Sequence, residues 1–435
     1  MVVRIAHISD THLGARPRDG VRQNVWGVEM RARLLENDFY ERFSEIFEMI
    51  ANLDPPVELV IHSGDLYDSP WEGNPTQPPV MAQNTAISVM KKFTEETGIP
   101  ILIIEGNHGL YRLLEVSLLE SLKMAISNLQ VATQQDLKRA LSNSEPLVIK
   151  YENLDVYCYP FMDYAVLESA KLVGDFNEWI LNAQKPAAGR PSVAVAHGMD
   201  IDKSLHSAIF DLNYDYVALG HDHHQHKYNK SSWYAGSPER WRFDEVSHEK
   251  GFLVIDVKHG ELPAVTPHHL IFARPVFNGS IQIEADDAVD SVIDRIDSWM
   301  KDKGLISVFE PKTAARIRFV IEGSSPRVSP LDLRLALEAF RMKVLSQEAE
   351  YNISQLTWMI KQTQQDFEAQ AYPEIESEYL IEDPEEDFRE YLKSIDIDER
   401  YDVDRLTKIA VKSLQSAVEN REKLTLESLT EGDGE

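Results

Sequence analysis

The sequence predicts an α/β protein in which two β-sheets face each other with helices outside, followed by a small α+β domain and a helical C-terminal segment. Three observations carry this reading. Apolar, β-rich runs alternate with helical patterns as far as about residue 270. Short polar motifs recur at the points where those apolar runs end. From Arg274 the pattern changes to strand, helix, strand, helix. The chain has 435 residues, more than one ordinary core holds at ~150 residues per domain.

Val2 to Ile8 reads as the first strand. Phe39, Phe43, Ile46, Phe47 and Ile50 then recur at helical spacing, and Pro55-Pro56 stops that helix before the strand VELVIHSGD. A second helix, Val80 to Thr97, leads to the strand Ile99 to Glu105. PLVIKYENLDVYCYP is a hairpin turning at Glu152-Asn153, and Ser192 to Ala196 is a short buried strand ending at His197. YDYVALG, SSWYAG and GFLVIDV supply further strands. The expected organisation is a catalytic domain over 1–272 and an α+β domain over 273–346, built from FNGSIQIEA, Ala288 to Met300, ARIRFVIEG and Pro330 to Leu345. A polar helix to about Gln370 and an acidic linker fill 347–384. The helix pair at 385–425 is too small for a core of its own, so it is expected to pack on something else, and 426–435 reads as a disordered tail.

An apolar fraction of 43% and a charged fraction of 27% fit a folded protein of ordinary composition. The first residues lack the basic and apolar regions of an export signal, and no run approaches the ~18 apolar residues of a membrane span. A cytoplasmic location is therefore expected, associated with the nucleoid in a prokaryote. The single cysteine, Cys158, excludes an intrachain disulfide and a cysteine zinc cluster, and reads as a core residue. The net charge of −28 argues against gripping nucleic acid with the whole surface. That charge is uneven, however: from Pro373 onward 20 Asp or Glu face 8 Lys or Arg.

Five motifs end strands in order: Asp10-Thr-His12, Gly64-Asp65, Gly106-Asn107-His108, His197-Gly198 and Gly220-His221-Asp222-His223. A lone GD or GNH recurs by chance; five in order, each after an apolar run, do not. Carboxylate, imidazole and Asn carbonyl donors without sulfur suit Mn²⁺, Fe²⁺ or Zn²⁺. Asp10, His12, Asp65, Asn107, His197, His221 and His223 outnumber what one metal needs, so two are implied. Two ions ~3.5–4 Å apart clamp the attacking and leaving oxygens of an in-line displacement at phosphorus, which is phosphate ester hydrolysis. His7 and His62 lie within strands and read as satisfied core histidines. His224, His226, His248, His259, His268 and His269 read as surface residues, and His206 has no spacing argument.

These motifs resemble the calcineurin-like metallophosphoesterase superfamily, whose pattern is DxH, GD, GNH, H and GHxH. SDTHLG, DFYERF, GDLYDS, YAGSPERWRFDE and KGFLVIDV extend the resemblance to the SbcD/Mre DNA repair nuclease branch, over roughly residues 3 to 260. The resemblance implies a four-layer metallophosphoesterase sandwich, a DNA-selecting cap at 273–346, and a C-terminal helix pair that binds an SbcC/Rad-type ABC ATPase. It also implies a homodimer. One metal would be held by Asp10, His12, Asp65 and His223, the other by Asp65, Asn107, His197 and His221, with Mn²⁺ the expected ion. His108 would stabilise the scissile phosphate and assist the leaving oxygen as an acid. This chain departs from the family at Gly109, where an Asp orienting that histidine is usual, and at Asp68, where a His is common. Asp68 is expected to take over the orientation of His108.

Arg16, Arg18, Arg22, Arg31 and Arg33 follow the first motif, and Arg240 and Arg242 follow YAGSPE; such arginines can track a phosphate backbone. The leading expectation is a two-metal DNA nuclease, exonuclease or endonuclease, processing ends in double-strand-break repair with an ATPase partner. A small-molecule phosphodiesterase or phosphatase would account for the acidity but leave the cap and C-terminal helices idle. A non-catalytic scaffold would account for GNHG, yet loss of catalysis usually erodes ligands first, and all seven remain.

Overall fold

The structure, a computed structural model, describes residues 1–15, 26–68, 78–108, 117–162, 173–198, 207–270, 274–346, 350–361 and 408. Met1–Gln362 form one compact unit. Its first sheet has six strands in the order β12 (Ala264–His269), β11 (Gly251–Lys258), β1 (Val2–Ile8), β2 (Leu59–His62), β3 (Ile101–Ile104), β4 (Leu129–Ala132). The second runs β5 (Val148–Lys150), β6 (Asp155–Tyr159), β7 (Ser192–His197), β8 (Tyr216–Gly220), β10 (Ser232–Tyr234), β9 (His226–Lys227). β1 to β4 are parallel, as are β6, β7, β8 and β10.

Parallel strands covered on both faces read as unbroken apolar runs, because successive side chains enter different cores. Ile5, Ile61, Leu102 and Ile104 meet Val156, Cys158, Val193 and Val195 between the sheets. The alternate residues Ala6, Ile8, Val60 and Ile103 pack outward on α1 (Trp26–Ala51) and α2 (Val80–Thr97) through Phe43, Phe47, Ile50, Met90 and Phe93, and Leu122 of α3 (Glu120–Ala125) joins them. On the outside of the second sheet, Tyr159, Ala194 and Ala196 pack against Leu137 of α4 (Gln134–Asn143) and Phe176, Trp179 and Ile180 of α5 (Val173–Ala183). The result is the four-layer arrangement expected from the sequence. Burying each Phe or Ile fully contributes roughly 1.5–3 kcal/mol, and Phe39, Phe43, Ile46, Phe47 and Ile50 are at most 2% exposed, so the periodic face of α1 is its buried face.

His7 and His62 are core residues, as expected. His7 bridges the sheets from Tyr216 Oη (2.8 Å) to Ser63 Oγ (2.9 Å), and His62 Nε2 meets Thr11 Oγ1 at 3.0 Å. Cys158 is buried and unpaired with any other cysteine.

The α+β region is a three-stranded parallel sheet, β13 (Val276–Ile283), β14 (Ala315–Gly323) and β15 (Ile353–Lys361). Helices α6 (Val289–Asp302) and α7 (Pro330–Val344) cover one face, where Ile317, Phe319, Ile321 and Leu356 meet Val292, Ile296, Met300, Leu333 and Leu337. This sheet corrects the sequence expectation of a polar helix after residue 346: residues Ile353–Lys361 are a strand, and the α+β fold continues through it. Buried polar residues disguised its alternation. Ser354 Oγ donates to the Ala314 and Ala315 carbonyls, and Gln355 Oε1 accepts from Arg316 Nε, so both are satisfied in a strand without looking apolar in sequence. Arg31 and Arg33 fall on α1. The expected linker beyond residue 361, the helix pair at 385–425 apart from Lys408, and the tail lie outside the described residues.

Candidate metal centre

The C-terminal ends of five parallel strands define one rim. Ile8 pairs with His62, His62 with Ile103, and His197 with Gly220, so the loops that follow converge at the same level. Of the six non-glycine residues with positive φ among the described residues, four are candidate ligands: Asp10 (49°), His12 (42°), Asp65 (55°) and His221 (94°). Each such conformation costs about 1 kcal/mol or more and persists only when surrounding bonds over-determine it. Asp10 N donates to the Gly64 carbonyl (3.1 Å) and His12 N to the Asp65 carbonyl (3.0 Å). His221 N donates to Asp10 Oδ2 (3.0 Å) and His108 N to Asp65 Oδ1 (2.8 Å). Gly64 has φ 108°, and a Cβ there would stand 2.2 Å from His197 Nδ1, so only glycine lets that imidazole approach.

The donors fall into three overlapping groups, each with its atoms within 4.8 Å: Asp10, His12 and His223; Asp65, His197 and His221; and His12, Asp65 and His108, which joins the other two. Asn107 completes the second, its Oδ1 lying 2.9 Å from His197 Nε2 and 3.1 Å from His221 Nδ1. The structure thus brings all seven residues expected to bind metal to one place, with Asp65 central.

Hydrogen bonds behind the imidazoles choose which nitrogen faces inward. His197 Nδ1 donates to the Ser63 carbonyl (2.8 Å), leaving Nε2 towards Asp65 Oδ2 at 3.2 Å. His223 Nδ1 donates to Glu245 Oε1 (2.9 Å), and Glu245 also accepts from the buried Lys250 ammonium (2.7 Å). Burial would raise the Glu245 carboxyl, but His223 and Lys250 outweigh it and hold it down to about 2. Such outer hydrogen bonds fix tautomer and orientation for ligation. Burial raises the Asp65 carboxyl, yet His197 and His108 prevail and hold it well below the usual carboxylate range. Burial and then His223 keep His12 well below the ordinary imidazole value, in the neutral form that carries a lone pair.

A cation fits this constellation. His12 Nε2 and His223 Nε2 face each other 3.0 Å apart, while His12 Nδ1 is buried without a hydrogen-bond partner. Whichever nitrogen of His12 holds the proton, a buried donor or acceptor stays unsatisfied, or two lone pairs oppose, unless a positive charge takes the shared space.

His108 sits apart from this pattern, because its Nδ1 is engaged by Asp68 Oδ1 at 2.9 Å. Burial disfavours its charged form, but the Asp65 and Asp68 carboxylates outweigh burial and bring it up to about 9. Cations bound alongside would lower that value again.

Three neighbours escaped the sequence reading: Glu245, Lys250 and Trp241. The Trp241 ring stacks on His12 (centroids 4.7 Å apart, 25° between planes) and lies 5.3 Å from both His108 and His223. The runs YAGSPERWRFDE and KGFLVIDV contain all three, so the only signal was the resemblance of those runs and not any periodicity. Of the arginines expected to touch DNA, Arg242 is exposed with its guanidinium 5.2 Å from the Trp241 centroid. Arg240 is half-buried and donates to the Arg274 carbonyl (3.2 Å). Arg16, Arg18, Arg22 and Gly109 lie outside the described residues. His224 stacks on both His226 and His248, and the three form no group of converging donors among the described residues.

Comparison with known proteins agrees with this geometry. The DNA double-strand break repair protein Mre11 of Saccharolobus solfataricus is 26% identical over 264 residues, 58% of each chain. Mre11 of Methanococcus maripaludis is 37% identical over 108 residues, 25% of this chain and 23% of that one. The SbcD component of the SbcCD nuclease of Bacillus subtilis is 22% identical over 293 residues, 60% of this chain and 67% of that one. The chain spans about three fifths of the length of the Mre11 relatives matched over the longer stretch. The family model described as Calcineurin-like phosphoesterase matches residues 3–225, just over half the chain and the whole run of motifs from Asp10 to His223. With its candidate divalent-metal donors gathered where the strand ends of the two facing sheets meet, the chain belongs to the calcineurin-like phosphoesterase family.

Proposed function

We propose that this chain is a two-metal-dependent nuclease, exonuclease or endonuclease, that hydrolyses phosphodiesters at DNA ends in double-strand-break repair. The observation that carries the reading is the pair of donor groups, Asp10–His12–His223 and Asp65–His197–His221, brought within reach of one another by Asp65 and His12 with His108 at their edge. Bound divalent ions, Mn²⁺ in this reading, would supply Lewis acidity and charge neutralisation at the phosphate. The chain's own residues supply the rest. Asp68 fixes the His108 ring through Nδ1, which leaves Nε2 to hold a proton near the leaving oxygen. Exposed Arg242 offers a phosphate contact beside Trp241, and Arg16, Arg18 and Arg22 are proposed to act with it.

An SbcC/Rad-type ABC ATPase bound by the helix pair at 385–425, and a homodimer, complete the proposal. The Mre11 and SbcD relatives support the DNA substrate and the complex. The net charge of −28 fits a partner that provides basic surface. The test is digestion of end-labelled linear duplex DNA by the full chain with Mn²⁺, with Mn²⁺ plus chelator, and by a His108→Ala variant. Chelator-sensitive shortening that the variant loses is expected. Turnover of a generic phosphodiester without DNA cleavage would replace this reading with a small-molecule esterase.

A further inference from the structure

The loop that carries Trp241 and Glu245 is held from the α+β sheet by two side chains: Asn278 of β13 donates to the Phe243 carbonyl at 2.8 Å, and an arginine of β14 clamps the two carbonyls nearest the site. Arg316 of β14 is 3% exposed. Its Nη1 donates to the Arg240 carbonyl and its Nη2 to the Trp241 carbonyl at 3.0 Å, while Nε is fixed by Gln355 Oε1 of β15 at 2.8 Å. The guanidinium also lies 5.2 Å from the Phe243 ring centroid. Within the loop, Trp241 N and Arg242 N donate to the Glu245 carboxylate at 3.1 and 3.2 Å, the same carboxylate that orients His223. Trp241 stacks on His12. His12 and His223 therefore share a backing whose only side-chain clamp from β14 onto the loop carbonyls, among the described residues, is Arg316. His197 instead rests on the backbone of Ser63, which Arg316 does not touch.

We infer that Arg316 is a positioning residue: by clamping the Arg240–Trp241 backbone it sets the His12/His223 half of the metal centre from the α+β domain and leaves the His197/His221 half alone. The inference rests on the two-metal reading. A planar guanidinium that donates to two carbonyls in a fixed fork defines a loop geometry that a flexible ammonium or a neutral amide cannot reproduce. Outer-shell partners of metal ligands typically change affinity by about 10–100-fold when removed. The α+β domain keeps a second attachment, because Arg274 pairs bidentately with Asp38 of α1 and donates to the Ala314 carbonyl, so loss of Arg316 does not by itself detach it.

The experiment is Mn²⁺ titration of the full-length protein by calorimetry, with thermal melts of the chelated forms alongside. Wild type is expected to bind two ions. Arg316→Gln is expected to weaken one of them by about 10–100-fold and leave the other unchanged. Trp241→Leu, which removes the stack on His12 without touching the α+β sheet, is expected to weaken one ion likewise, and it carries the test if Arg316→Gln does not fold. Lys361→Gln is the control, since Lys361 of β15 pairs with Glu322 of β14 at 3.0 Å and makes no bond to the loop; both ions should bind as in wild type. Unchanged binding of both ions in Arg316→Gln or Trp241→Leu, or equal weakening of both, overturns the inference. Wild-type protein that takes up no Mn²⁺ overturns the proposed function itself.

Discussion

The two halves of the proposed metal centre are held by different kinds of structure. His197 is fixed by a backbone carbonyl of the neighbouring sheet, Ser63, and is crowded by the obligatory glycine at 64. The imidazoles of His223 and His12 are backed by side chains on and beside a 3₁₀ turn, Glu245 and Trp241, with Lys250 behind Glu245. A sheet backbone cannot move without breaking the core, whereas a loop holds its geometry only as long as its own ion pairs and clamps survive. The first half is therefore built as part of the fold, and the second is adjustable.

The largest expected effect falls on the residue common to both halves. Asp65→Asn removes a buried charge facing His197, His12 and His108 and is expected to lower turnover by about 10³-fold, with Mn²⁺ uptake lost at both positions; retention of one normal site in calorimetry would show that Asp65 does not bridge. Next comes the adjustable half alone. Glu245→Gln deprives His223 and Lys250 of their charged partner, and about 10–100-fold weaker binding of a single ion is expected. If both ions weakened together, the contrast between the halves would collapse.

Asp68→Asn addresses proton transfer and not metal binding. A fall in kcat of about 10²-fold with unchanged Mn²⁺ affinity is expected, the lower end of the ~10²–10⁴-fold that a general acid contributes. Full turnover in Asp68→Asn while His108→Ala is inactive would refute the orienting role.

The smallest effect belongs to the rigid core beneath the site. Burial, and then His62, lowers His7 to about 3, and burial lowers His62 to about 3, from an ordinary 6.5. The folded state excludes a proton that the unfolded chain accepts, so the stability from each neutral histidine is fully present above pH 6.5 and is lost as pH falls towards 3. The slope is at most about 1.4 kcal/mol per pH unit for each. Melting of chelated protein between pH 7.5 and 5.5 should show a smaller loss in His7→Gln than in wild type, and equal losses would contradict the assignment.

The same contrast explains what could be read from the sequence. Asp10, Asp65, Asn107, His197 and His221 each follow an apolar strand directly, so strand ends and donors could be placed together without coordinates. Phe39 to Ile50 gave its helix through spacing alone. Glu245, Lys250 and Trp241 stand in a segment of irregular turns, where no period marks which side chain points inward. The strand at Ile353–Lys361 was hidden because Ser354 and Gln355 are buried by hydrogen bonding instead of by apolarity. The pairing of Asp68 with His108 could be anticipated only because both Gly109 and Asp68 depart from a known pattern.

Anomalous diffraction at the manganese edge, from crystals of the full chain grown with Mn²⁺, tests the central claim most directly. The account predicts two peaks per chain about 3.5–4 Å apart, one beside Asp10, His12 and His223, the other beside Asn107, His197 and His221, with the Asp65 carboxylate between them. A single peak, or two peaks that do not share Asp65, would contradict it.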